Sequence, residues 1–291
     1  MAAPALAYYR AQDVLTDPGR YAQRLDEQPV SLPALHAALD GLLLHVWKVR
    51  AYHPHLFVPT GREVFVRHTA RLLETVLRLD PAPLSVPRPV KRRAVVDCRH
   101  FAVLLCAALR HRGLAARPRC GFGTYLEESV FVDHWICEVW DAAQGQWVME
   151  DADQQRHGVP PDEFLTGARA WQRCRREPAF AERIGYDAET RGLGVARCNL
   201  VRDVAALNGF PGVSGDAWGF GLVPDTDLTQ ADLHLLDRAA ELAEHAPDEA
   251  AFAALRDTYE RTPGLRVPDV VPNCDHFNAN TWRAVAWRAA P

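Results

Sequence analysis

Three residue types able to do nucleophilic chemistry together follow one another along the chain: a cysteine where a helix begins, a histidine opening a strand, and aspartates on the strand after it. Cys98 follows Asp97 in DCRHFAVLLCAALRHRG, where Asp97 can cap the first turn and Gly113 can close the last. A thiol attacks as thiolate, and the unpaired N–H groups and macrodipole of a helix start favour that anion, lowering its pKa from about 8.5. The N–H of Cys98 is one of those free donors, so half of an oxyanion hole is available in the same turn. A structural cysteine that merely begins a helix fits the pattern too, so a partner must decide. Cys106, inside the apolar helix face, and Cys120, inside a strand, read as core residues. His100 lies ~200° around the helix from Cys98 and is poorly placed as a base.

In DHWICEVWD, alternation puts His134, Ile136, Glu138 and Trp140 on one face of a strand. The following QWVMED presents Trp147, Met149 and Asp151 on one side, with Asp153 continuing that side. If Asp141 pairs with Gln146 across the turn Ala142–Gly145, His134 lies opposite Asp153 and one diagonal step from Asp151. A carboxylate in either place can fix the imidazole tautomer and stabilise its charged form. A solvated hairpin with ordinary surface histidine and aspartates satisfies the spacing as well.

Elements must hold these residues in place. Ser31 and Pro33 begin a helix carrying Leu35, Leu39, Leu42, Leu43 and Val46 on one face, predicted to end near Tyr52. Val64, Phe65, Leu72, Leu73, Val76 and Leu77 mark a second helix, which stops before the connector PAPLSVPRP. RPRCGFGTYL, DHWICEVWD and QWVMED read as three strands after the cysteine helix. Beyond residue 160 the pattern is irregular. Thr229 with Asp232 then opens one helix and Asp248 another, before a proline-broken tail. The fold class expected is α+β, with a helix-start cysteine packed on an antiparallel sheet: residues 1–90 an N-terminal helical part, 91–160 the core, and 161–291 a mainly helical extension shaping the substrate pocket.

Composition narrows the function classes. A formal charge of −4 and pI near 6.3, with Lys48 and Lys91 the only lysines, give no reason to expect nucleic acid. No apolar run approaches the ~18 residues of a membrane span and the first residues lack a leader's pattern, so no membrane partner and a cytoplasmic location are expected. Seven cysteines without a CxxC pair indicate neither a disulfide framework nor a zinc site. His53 and His55, the closest histidine pair, lack further ligands, and no acidic calcium loop or phosphate loop is present. No cofactor and no metal are therefore expected.

From Asp97 to Asp153 the chain resembles the transglutaminase-like superfamily, whose papain-like core runs from a helix-start cysteine to a histidine strand and an aspartate strand. The small-residue helix after Cys98, His-Trp-x-x-Glu-Val from His134 and Trp-Val-x-x-Asp ending at Asp151 carry the likeness. The resemblance implies Cys98 as nucleophile, His134 as base and Asp151 as orienting acid, with Asp153 in reserve. Members usually carry a tryptophan two positions beyond the histidine, whereas Trp135 follows directly, and many have an acidic residue where His100 stands. The activity implied is acyl transfer through a thioester: amide formation or transamidation on a small-molecule or carrier-bound acyl donor, with an amine as acceptor. Amide or peptide hydrolysis by the same triad is the alternative, and a non-catalytic binding module the second; metal-assisted hydrolysis has no convergent ligand spacing behind it. In the extension, Trp171, Arg197, Asn199, Asp203, Asn208 and Trp218 are the polar or aromatic pocket candidates, each open to a structural reading. The sequence leaves the oligomeric state open.

Overall fold

The structure is a computed structural model and describes residues 4–52, 62–128, 130–187, 189–245, 248–275 and 281–287, so His53 and His55 lie outside the described residues. A short helix, α1 (Pro4–Arg10), buries Tyr9, and α2 (Leu32–Leu42) carries Pro33 in its first turn and buries Leu35, Leu39 and Leu42. The helix predicted to run on to Tyr52 does not. Leu43–His45 (β1) pairs in parallel with Ala94–Val96 (β2), and helix resumes as α3 (Val46–Tyr52). All three β1 residues are buried, and a run buried on every side carries no periodicity to separate strand from helix. The second expected helix is a 3₁₀ turn at Arg62–Phe65 followed by α4 (Thr69–Leu79).

Asp97, extended at φ −108° and ψ 178°, turns the chain from β2 into α5 (Cys98–His111). His100 folds back on this start: its Nδ1 lies 2.7 Å from Asp97 Oδ1, and its Nε2 meets the Val66 carbonyl at 2.9 Å. The imidazole thus bridges the Asp97 carboxylate and the Val66 carbonyl, tying the helix start to the N-terminal part. Phe101, Leu104, Leu105 and Ala108 of α5 pack with Ala116, Cys137 and Val139 of the sheet.

That sheet has six strands: β3 (Ala116–Glu127), β4 (Val130–Asp141), β5 (Gln146–Asp151), β6 (Arg156–His157), β7 (Phe164–Thr166) and β8 (Ile184–Gly185). The order β6-β5-β4-β3-β7 is antiparallel throughout, and β8 adds in parallel to β4. Asp141 pairs with Gln146, the register the turn predicts. On the same strand, Cys137–Asp141 pair with β5 and Phe131–Val132 with β8, so residues 133–136 face no named strand between the two. On the other side, Gly121 is pressed against β7, where a Cβ would stand 2.2 Å from the Leu165 carbonyl oxygen.

The stretch that reads as irregular contains α6 (Gly167–Arg176) and α7 (Leu193–Leu207). Every residue from Val195 to Leu207 is buried, which removes the polar stripe that would mark a surface helix. Thr229 and Asp232 form the expected capping box of α8 (Gln230–Glu244), and Asp248 caps α9 (Glu249–Arg261). The proline-broken tail differs from expectation in pairing as a hairpin, β9 (Val270–Asp275) with β10 (Thr281–Ala286). No described helix is long and apolar enough to cross a membrane.

Candidate active site

The gap in β4's edge is where the site lies. His134 sits in it, and its Nε2 is 2.8 Å from Asp151 Oδ2 at the end of β5. The His134 and Cys98 side chains are within hydrogen-bonding reach, leaving Nδ1 as the nitrogen turned from the carboxylate. Asp151 is held from several sides: the Tyr125 hydroxyl donates to Oδ2 at 2.7 Å and the Gln154 N–H donates to Oδ1 at 3.1 Å. Burial works against its charge, but His134 and these donors outweigh burial and hold its carboxyl below the usual range.

Asp153 does not take the place opposite His134. β5 ends at Asp151 and the chain turns, so the pairing that would carry Asp153 across is never made. Its carboxylate instead receives Lys48 Nζ at 3.2 Å and Gln154 Nε2 at 2.8 Å, anchoring α3.

The thiol's electrostatics reverse the sequence expectation. Cys98 is 9% exposed, and its pKa is pushed up to about 12 because burial outweighs the lowering by His134. Around it are Ala102, Cys120, Trp135 and Ala206, an apolar wall. Burial also disfavours a charged His134, yet Asp151 and Cys98 together raise its pKa well above the usual value. The thiol therefore keeps its proton at neutral pH, and raising the pH releases it. We expect iodoacetamide to label Cys98 ahead of the other six cysteines, all buried, with a rate rising roughly tenfold per pH unit from 7 to 9. Peptide mapping with timed quenching measures this, and a rate flat across that range would mean that the thiolate is already formed at neutrality.

Two further polar residues are linked beside His134. Asp133 precedes His134 and adds a negative field at Cys98, and Asn199 of α7 donates to it at 2.6 Å while also donating to the Gly121 carbonyl at 3.1 Å. The other extension residues singled out by type serve the fold. Trp171 Nε1 donates to Asp237, Trp218 Nε1 to the Leu265 carbonyl, and Asn208 to Val204 at the end of α7. Arg197 holds the Phe220 and Val223 carbonyls, and Asp203 pairs with Arg119. Tyr125, Asp133 and His45, whose pKa burial lowers and which feels Asp97 and His134, have no sequence signal pointing to them. A cleft of about 560 Å³ lined by Arg117, Trp140, Trp147 and Arg169 contains none of the three triad-type residues, so it is not the thiol's entrance.

Although the sequence shows no metal-ligand spacing, His36, Glu150 and His157 bring three donor atoms within 4.8 Å of one another. They are 114 and 7 positions apart, and no sequence spacing links them.

Compared with known families, residues 80–152 match the model described as the transglutaminase-like superfamily. A search of solved structures finds similarity to a candidate cysteine protease from Cytophaga hutchinsonii, with 13% identity and a TM-score of 0.36 over 57% of this chain and 46% of that one. The chain thus spans less than half the length of that protein. No curated protein matches.

Proposed function

With residues 80–152 as a transglutaminase-like core in an α+β fold, we propose that the protein is a cysteine-dependent acyltransferase working through a thioester on Cys98. The observation that carries this reading is the His134 imidazole, held at 2.8 Å by Asp151 and in reach of a thiol at a helix start.

Cys98 attacks the carbonyl carbon of an amide, ester or thioester as its proton passes to His134 Nδ1, and the Cys98 N–H faces the developing oxyanion. The imidazolium, stabilised by Asp151, returns that proton to the leaving group as its bond to carbon breaks. An amine then attacks the thioester, again giving up its proton to His134, and the product amide leaves as the thiol reforms. The steps balance with the chain's own residues and call on no nucleotide, so the donor arrives already activated or as an amide to be exchanged. A small-molecule or carrier-bound acyl group with an amine acceptor fits best; water in place of the amine makes the same site an amidase.

Intact-mass analysis after incubation with candidate thioesters and amides, with and without amines, tests the reading. An adduct on Cys98 that disappears on adding amine is expected, and turnover with no adduct, or with ATP strictly required, would overturn it. Replacing each aspartate separates their roles. Asp151→Asn is expected to lower turnover by about 10⁴-fold through the wrong imidazole tautomer. Asp153→Asn, whose partner is Lys48, is expected to alter stability and leave the pH profile in place.

A further inference from the structure

We infer that His36, Glu150 and His157 form a binding site for one zinc ion, or a divalent first-row metal of similar preference. Glu150 and His157 are directly paired residues on β5 and β6, and His36 of α2 stacks on His157 with ring centroids 4.2 Å apart. Glu150 Oε2 is 2.7 Å from His157 Nδ1 and 3.3 Å from His36 Nε2. Donors bound to zinc at about 2.0–2.1 Å in a tetrahedron stand roughly 3.3 Å apart; the Glu150–His36 spacing matches this, and all three donor atoms lie within 4.8 Å of one another.

The second observation is independent of the clustering. His36 is fully buried, yet neither of its ring nitrogens makes a hydrogen bond; the 3.3 Å approach to Glu150 fails on angle. A buried imidazole with two unsatisfied nitrogens is destabilising in the absence of a partner. A metal on Nε2 satisfies one of them. The carboxylate is held from behind by the Gly158 N–H, 3.3 Å from Oε1, the kind of support that orients metal ligands. Two imidazoles and one carboxylate suit zinc or a similar borderline ion, whereas calcium and magnesium prefer an all-oxygen shell. His157 is 38% exposed at its side chain, which gives the ion an entry path and leaves a fourth position open to water.

The site lies on the residue next to Asp151 and joins α2 to the edge of the sheet, so the ion would act as a clamp on the strand that carries the orienting carboxylate. It is not a reagent in the acyl transfer proposed above. The test uses the full chain freed of metal by chelation and titrated with zinc sulfate against a chromophoric chelator, with thermal melts alongside. One equivalent bound, a melting temperature raised by several degrees, and an X-ray absorption first shell of nitrogen and oxygen alone are expected. His157→Ala, at a partly exposed position, should fold and lose at least tenfold in affinity, and Glu150→Gln should do the same. Absence of a stoichiometric site, sulfur in the first shell, or affinity unchanged in His157→Ala would overturn the assignment.

Discussion

Cys98→Ala is expected to lower turnover of the acyl donor by roughly 10⁴-fold or more while the protein stays folded. The nucleophilic atom is lost outright, and Cys98 is the cysteine that pairs with His134. Stability should change by only about 1 kcal/mol, since one sulfur is removed from the first turn of α5 and Ala102, Trp135 and the rest of its wall remain. His134→Ala should cost about as much, and the double variant no more than either, because residues acting on one proton fail as a unit. Steady-state kinetics with melting curves on all three variants measure this. Additive losses would mean that thiol and imidazole work independently, and turnover retained in Cys98→Ala would remove the mechanism.

The largest expected effect on stability is at Arg119. This guanidinium is 2% exposed and holds Asp203 through two bonds of 2.8 and 2.9 Å, Glu138 at 3.0 Å and Glu244 at 3.0 Å. Removing it leaves buried carboxylates facing one another. Arg119→Ala is expected to cost about 3–5 kcal/mol, the range for breaking a buried pair on one side only. The loss should depend on pH in a definite sense. Burial already raises the pKa of Asp203 above the ordinary 3.8 although Arg119 lowers it, and without Arg119 the folded-state value rises further. A raised folded pKa gives stability that is present at low pH and lost as pH rises through it, so the variant's deficit should shrink on acidification toward the carboxylate range. Urea melts at several pH values decide this, and a deficit constant from pH 8 to 5 would mean that packing, not charge, is what Arg119 supplies.

What could be read from the sequence depended on whether local pattern survives tertiary burial. Asp97 before Cys98, the Thr229–Asp232 box and the Asp141–Gln146 register rest on neighbours within a few residues, and each is present in the structure. β1 and α7 are buried on all sides, so periodicity had nothing to report. The placement of Asp151 beside His134 depends on where β5 stops, which pairing arithmetic alone could not supply. Tyr125 and Asn199 reach the site from β3 and α7, and His36 meets Glu150 from α2; contacts of that range leave no trace in spacing. The acidity of Cys98 was read from its helix start alone, whereas the apolar wall that sets it is assembled from three other elements.

The six-stranded sheet is not a module that could be inherited or excised by itself. Its β7 and β8 come from Phe164–Thr166 and Ile184–Gly185, after the segment that matches the family, and the strand paired to β2 comes from Leu43–His45, before it. A fragment restricted to residues 80–152 would expose the edges of β3 and β4 as unpaired N–H and C=O groups, which are templates for aggregation. The cooperative folding unit is therefore wider than the family signature. Insertions and fusions will be tolerated at loop tips such as Ala142–Gly145, not at the borders where the likeness begins and ends.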